Sequence, residues 1–192
     1  MKLAIVDLGY GNIGSIVIAF ERLGLEPLVT ADPSQIASAD RVVLPGVGAA
    51  GHAMDRIDAL SLREGLRSLS QPSLGICLGM QLLFERSEEA ETDCLGIIPG
   101  EVRALEPAPG MPVPHMGWSK LEVSDGNVGL RKGDYVYFAH GFACDPGPAT
   151  VASADYGRKI PAVVRKDNWW GAQFHPERSA DAGARFLKAF LG

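Results

Sequence analysis

The sequence predicts an α/β fold built on a largely parallel sheet, and three observations predict it. Short apolar runs alternate with helix-periodic stretches through the first ninety or so residues. Proline-punctuated β-type runs follow beyond residue 95, so the second half adds antiparallel or mixed strands to the same core. No internal repeat, low-complexity tract or long linker divides the chain, so residues 1–192 read as one domain.

Leu3–Leu8 is the first buried-type strand. Ile13, Ile16, Val17, Phe20 and Leu23 then recur at helical spacing, with Asn12 as N-cap and Gly24 as the stop. Glu26–Thr30 and Arg41–Leu44 are the next strands, and Asp55–Leu69 reads as a helix. Ser73–Ile76 is a fourth strand that runs straight into a helix from Leu78 to about Arg86. Further strands are expected at Tyr135–Ala139, Val151–Ala154, Pro161–Lys166 and Trp169–Phe174. A last helix near Ala180–Leu191 carries Phe186, Leu187, Phe190 and Leu191 on one side.

Composition excludes several function classes. A net charge of −5 with no basic run argues against binding a nucleic-acid backbone. The apolar stretches are too short to span a membrane. Cysteines at 77, 94 and 144 include no C-x-x-C pair, which points to a reducing, cytoplasmic setting and away from a structural zinc site.

The opening Gly9-Tyr10-Gly11-Asn12-Ile13-Gly14 fits the G-x-G-x-x-G dinucleotide fingerprint. Asp32, 18 residues past Gly14, stands where a ribose-binding acid would. A sharper signal is Gly75-Ile76-Cys77-Leu78-Gly79, which has the form of a nucleophile elbow with cysteine as the nucleophile. Flanking glycines leave room for the turn and for a substrate, and the helix start behind Cys77 favours an anion. The Leu78 N–H is left to stabilise an oxyanion. Read blandly, Cys77 is a small core residue, and the elbow context brings the two readings level.

A thiol nucleophile needs a base. His175 follows an apolar strand, and Glu177 lies two residues on across Pro176. An extended backbone there would let both side chains point the same way, so that Glu177 fixes the imidazole tautomer. Pro45-Gly46-Val47-Gly48 is a glycine-rich loop at the same sheet edge, which can offer a second oxyanion donor or be an ordinary turn.

LPGVG, GICLGMQLLF and QFHPE, in that order, closely resemble the class I (triad-type) glutamine amidotransferases over nearly the whole chain. The resemblance implies a flavodoxin-like, doubly wound sheet and no metal or organic cofactor. It assigns Cys77 as nucleophile, His175 as base and Glu177 as orienting acid, with Gly46, Val47 and Leu78 at the oxyanion. It assigns Gly48, Gln81 and Glu89 to the glutamine amino-acid moiety.

Within that superfamily, VDLGYGN, PHMGWSKL and YFAHGF resemble segments of the glutaminase subunits of imidazole glycerol phosphate synthases, which serve histidine biosynthesis. That likeness implies a (β/α)8-barrel cyclase partner, reached through Tyr10, Asn12, His115 and Trp118. Leu8, Gly14 and Gly141 depart from the pattern, and Gly141 removes a hydroxyl near the substrate carboxylate. Gly14 is the third fingerprint glycine, so the dinucleotide match is read as fortuitous. Two rivals stay open: a stand-alone hydrolase of γ-glutamyl compounds, and a non-enzymatic docking subunit.

Overall fold

Four short strands form the parallel half of the main sheet. In the computed structural model, which describes residues 1–11, 13–46 and 48–192, these are β1 (Leu3–Val6), β2 (Leu28–Thr30), β3 (Arg41–Leu44) and β4 (Ser73–Ile76). Three of them, β1, β3 and β4, are buried on both faces. All four run parallel, with β1 between β2 and β3, and β4 beside β3. The crossovers carry α1 (Gly14–Glu21), α2 (Pro33–Ala37), α3 (Ala50–Ala59) and α4 (Arg63–Arg67).

Beyond β4 come α5 (Leu78–Gln81), β5 (Arg86–Ser87), β6 (Thr92–Asp93), β7 (Glu101–Ala104) and β8 (His115–Val123). The rest is β9 (Tyr135–His140), β10 (Phe142–Cys144), β11 (Thr150–Asp155), β12 (Lys159–Lys166), β13 (Trp169–Ala172) and α6 (Ala180–Leu191). Among the described residues, one sheet of nine strands has the order β2-β1-β3-β4-β13-β12-β11-β8-β9. A small sheet, β10-β7-β5-β6, flanks it. The late strand β13 returns to the centre and pairs in parallel with β4, whereas β12, β11, β8 and β9 extend the sheet antiparallel.

Strand periodicity sorts the core into two layers. Ala4, Val6, Val42 and Leu44 face Ile36, Met54, Ile57 and Leu66 of α2, α3 and α4. Leu3, Ile5, Val43 and Leu74 face Ile16 and Phe20 of α1 and Phe186 and Phe190 of α6. One-residue alternation along β1 and β3 therefore feeds both sides of the sheet.

The departures from the sequence reading have local causes. The expected helix over 55–69 is two, because Ser61 adopts φ +55° and breaks it. Arg63 spans the break by a bidentate pair with Asp58, at 2.7 and 2.8 Å. The helix after Cys77 ends at Gln81 rather than near Arg86. Asp32 caps α2: its Oδ1 accepts from the Ser34 and Gln35 amides at 2.7 and 3.4 Å and from the Ser34 hydroxyl at 2.7 Å. The acid that would complete a dinucleotide fingerprint is thus committed to a helix cap.

The elbow glycines sit where two backbones touch. A Cβ at Gly79 would fall on the Leu44 carbonyl oxygen, and one at Gly75 on the Gly79 carbonyl. Replacing Gly79 by Ala forces two backbones apart and is expected to cost more than about 3 kcal/mol, or to prevent folding. Gly65 lies in α4 with open space around it, so Gly65→Ala is expected to stabilise by about 0.5–1 kcal/mol. Urea titration of the two variants checks both signs.

Candidate active site

Three neighbouring strands deliver the site to one edge. β3 ends at Leu44 and leads into Pro45-Gly46; β4 ends at Ile76 and leads into Cys77; β13 ends at Ala172 and leads into Gln173, Phe174 and His175. Leu44 is level with Gly75, and Ala172 with Ile76, so all three chains leave the sheet at its carboxyl edge. Ligands of doubly wound sheets collect at that edge.

Cys77 occupies the turn itself, with φ +54° and ψ −112°. A non-glycine residue held there stores on the order of 1–3 kcal/mol of strain. The turn is held shut from both sides: the Cys77 N–H donates to Ala172 O at 2.7 Å, and the Met80 N–H to Cys77 O at 3.1 Å. Leu78 opens α5, so its N–H has no acceptor one turn back in the helix. Gly46 is buried against the same peptide, and a Cβ there would strike the Gly79 amide nitrogen.

His175 and Glu177 come together as expected, but by a different local route. His175 is extended, with φ −95°, and Pro176–Arg178 then forms a 3-10 turn rather than a continued strand. The imidazole Nδ1 lies 2.8 Å from Glu177 Oε1. Ser179 locks that turn, donating to His175 O at 2.6 Å and accepting the Tyr137 N–H at 2.9 Å. The His175 N–H in turn donates to Tyr137 O at 2.9 Å, so β9 carries the turn on its backbone.

Burial pulls the His175 imidazolium down, but hydrogen bonds to Cys77 and Glu177, and then their charges, outweigh it and hold the ring protonated up to about 10. Glu177 Oε2 is buried without a hydrogen-bond partner among the described residues, so this carboxylate depends on the imidazolium for its compensation. The raised value, against an ordinary 6.5, sets the sign of linkage. Its contribution to stability is whole below the ordinary value and is lost as pH rises through the folded one.

Cys77, Leu78, Gly46, Gly48, Gln81 and Glu89 line one cleft of about 340 Å3, and His140, Phe142 and His175 close its other side. Gln81 is 4% exposed and donates from Nε2 to Phe142 O at 2.7 Å and to Gln173 Oε1 at 2.9 Å. Glu89 accepts the Ala50 N–H at 2.7 Å and so caps α3, whose own N-cap, Ala49, has no side-chain acceptor. Val47 and Asn12 lie outside the described residues.

The expected partner residues divide. Trp118 is 52% exposed and its neighbour Met116 is 64% exposed, but His115 is 2% exposed and offers a partner no surface. Alternation along β8 turns it inward. Tyr10 is half-buried, its ring 4.6 Å from that of His52, beside Gly48. Sequence reasoning missed Gln173, Ser179, Ala139 and His140. Of these, Gln173 lay inside QFHPE, and Ala139 and His140 inside YFAHGF, but none had been given a role.

The family model for class-I glutamine amidotransferases matches residues 4–191. The chain belongs to that family. Imidazole glycerol phosphate synthase subunit HisH of Xanthomonas campestris pv. campestris (strain 8004) is 52% identical to this amidotransferase, covering 98% of this chain and 96% of the relative. The HisH subunit of Idiomarina loihiensis is 47% identical over 100% of this chain and 97% of its own.

Among solved structures, a crystal structure of a glutamine amidotransferase superposes with TM-score 0.79 at 18% identity, covering 100% of this chain and 97% of that one. The glutaminase domain of Trypanosoma brucei CTPS, with bound acivicin, gives 0.69 at 16% identity, covering 100% and 94%. These two likenesses carry the fold, which agrees with the mixed sheet described above.

The other thiols differ from Cys77 in their surroundings. Burial pushes Cys94 up to about 11, although Arg63 opposes it, and burial pushes Cys144 higher still. Iodoacetamide near neutral pH is therefore expected to modify Cys77 and to spare both. The His175 ring, followed by NMR, should stay protonated to about 10 in the native chain and titrate lower in Cys77→Ala, which loses the first of its upward contributions. An unchanged midpoint would detach the imidazole from the thiol.

Proposed function

We propose that this amidotransferase hydrolyses glutamine to glutamate and ammonia, and hands the ammonia to a cyclase partner that makes imidazole glycerol phosphate in histidine biosynthesis. The observation that carries the reaction is the strained Cys77 turn facing a His175 already fixed by Glu177. The likeness to HisH subunits over almost the full chain carries the biosynthetic role.

The Cys77 thiolate attacks the carbonyl carbon of the glutamine side chain, forming a C–S bond as the carbonyl electrons move to oxygen. Leu78 N–H, with Gly46 packed against the same peptide, stabilises that oxyanion. His175 gives its proton to the departing nitrogen, the C–N bond breaks, and ammonia leaves a glutamyl thioester. Water then loses a proton to His175 and attacks; the C–S bond breaks, and glutamate departs with the thiolate restored. Glu177 keeps the Nδ1 proton in place throughout. Gln81 and Glu89 hold the amino-acid end. Every step uses groups of this chain and water.

Ammonia released into bulk water becomes ammonium and loses its nucleophilicity. A chain with one such cleft therefore needs an acceptor docked over it, and the (β/α)8-barrel cyclase is the partner proposed. Exposed Met116 and Trp118 beside the cleft, and Tyr10 beside Gly48, form the docking side. The setting proposed is the cytoplasm, in keeping with three free cysteines; among the described residues no helix is long and apolar enough to cross a membrane.

Cys77→Ala is expected to abolish glutamine-dependent synthesis by the complex while ammonium salts still support it. Loss of His175 should lower hydrolysis by several orders of magnitude and Glu177→Gln by less, because the amide keeps the shape but not the charge. Loss of both nitrogen sources in Cys77→Ala would contradict the division of labour.

The chain alone is expected to be a slow glutaminase, because the glycine-flanked loop at Gly46 and Gly48 can rest with one oxyanion donor turned away. Losing one such donor typically slows a reaction about 100- to 1000-fold. Glutamine turnover should rise by about that factor when the cyclase, loaded with its own substrate, is added. Equal rates with and without the loaded partner would favour a stand-alone hydrolase.

A further inference from the structure

Behind the cleft, six side chains and one carbonyl form a continuous chain whose hydrogen-bond direction is settled by a single atom. Phe142 O can only accept. It receives His140 Nδ1 at 2.7 Å and Gln81 Nε2 at 2.7 Å. His140 therefore carries its proton on Nδ1 and, when neutral, leaves Nε2 as an acceptor. His115 Nδ1, 3.2 Å away, must donate to it, which makes His115 Nε2 the acceptor of the Ser119 hydroxyl at 2.9 Å.

On the other side of Phe142, Gln81 spends its second Nε2 proton on Gln173 Oε1 at 2.9 Å. Gln173 Nε2 is then the group aimed at Cys77 Sγ, 3.9 Å away. Reversing any one amide or tautomer would set two donors or two acceptors against each other.

The two histidines are built to stay neutral. Burial pulls His115 down to about 4. Burial pulls His140 down to about 4 as well; the Phe142 carbonyl opposes this, and the charges of His115, His175 and Arg158 add to it. The His115 ring is clamped flat between Tyr156, at 3.8 Å, and Phe138, at 4.7 Å, so it cannot rotate to find another partner. Ser119 sits on β8 next to exposed Trp118 but on the opposite face of the strand, the one that carries the His115 ring.

We propose that Ser119, His115, His140, the Phe142 carbonyl, Gln81 and Gln173 act as one positioning chain that fixes the polarity of the glutamine site. It makes Gln81 present its carbonyl oxygen, not its amide protons, to the substrate ammonium, and makes Gln173 present an N–H to the Cys77 sulfur. It also ties both groups to β8, the strand just inside the edge strand β9. His115 and His140 are thus positioning residues, whose protons do not enter the reaction. The ligand assigned here rests on the glutaminase reading above; the donor order does not.

Two measurements test it in ways that separate those failures. Nitrogen-15 NMR of the histidine rings, in the full chain between about pH 5 and 8, reads the tautomers directly. Both rings should be neutral with the proton on Nδ1 and should not titrate. A proton on Nε2 of either ring, or titration near 6.5, overturns the donor order.

The second measurement compares Cys77 labelling, in the complex with the cyclase, by a diazoketone analogue of glutamine and by iodoacetamide, which has no amino-acid moiety. In His115→Leu the analogue should react at least about tenfold more slowly while iodoacetamide changes by less than about twofold. His115→Asn, which restores a donor near Nδ1, should recover the analogue rate to within about threefold. Equal losses with both reagents, or no loss with either, overturn the positioning role. A native complex that the analogue fails to label, with the tautomers as stated, overturns the glutamine assignment and leaves the donor order standing.

Discussion

Backbone-on-backbone contact at the elbow is the constraint on which the rest of the site depends. Gly75, Gly79 and Gly46 have no side chains to separate the end of β3 from the start of α5, and a Cβ at any of them would fall on main-chain atoms. That closeness lets Cys77 take a turn with φ +54° directly above the strand end. It also brings the Gly46 loop against the Leu78–Gly79 peptide, so that two chain segments meet where the proposed reaction would develop an oxyanion. The parallel pairing of β3, β4 and β13 then places His175 beside Cys77 without any long-range adjustment.

Electrostatics divides the three histidines in and behind the cleft into two kinds. His175 faces a thiol and a carboxylate, and those partners hold it charged against its burial. His115 and His140 face aromatic rings, each other and a carbonyl, and burial keeps them neutral. The first kind suits the proton transfers proposed for the reaction, and the second suits the proposed positioning role. β9 serves both, since Tyr137 carries the His175 turn, Ala139 O lies 3.8 Å from the Cys77 sulfur, and His140 faces Phe142. Strain or docking on β8 and β9 would therefore be felt at Cys77, His175 and the cleft together.

Much of this was legible in the sequence where a single physical rule dominates. Fully apolar runs marked β1, β3 and β4, and amphipathic spacing marked α6 with matching bounds. Glycines on both sides of Cys77 between a strand and a helix signal marked the elbow. His175 and Glu177 were placed together for a partly mistaken reason: a 3-10 turn, not an extended strand, brings the two groups within hydrogen-bonding distance. The rest depended on tertiary contacts that no local pattern reports. Ser179 is an ordinary helix-start serine until Tyr137 arrives from β9. His115 sat in a segment read as partner-facing, and only the register of β8 turns its ring inward. The G-x-G-x-x-G match failed for a related reason, since Asp32 found two amides of its own helix before any ribose.

The proposed reaction requires Cys77 to form a covalent glutamyl intermediate with His175 as its proton partner. Acid-quenching the complex during glutamine turnover, followed by peptide mapping by mass spectrometry, tests this most directly. A glutamyl thioester on Cys77, accumulating when water attack is slowed, is the predicted result. Turnover with Cys77 unmodified throughout, or an adduct on Cys94 or Cys144, would contradict it.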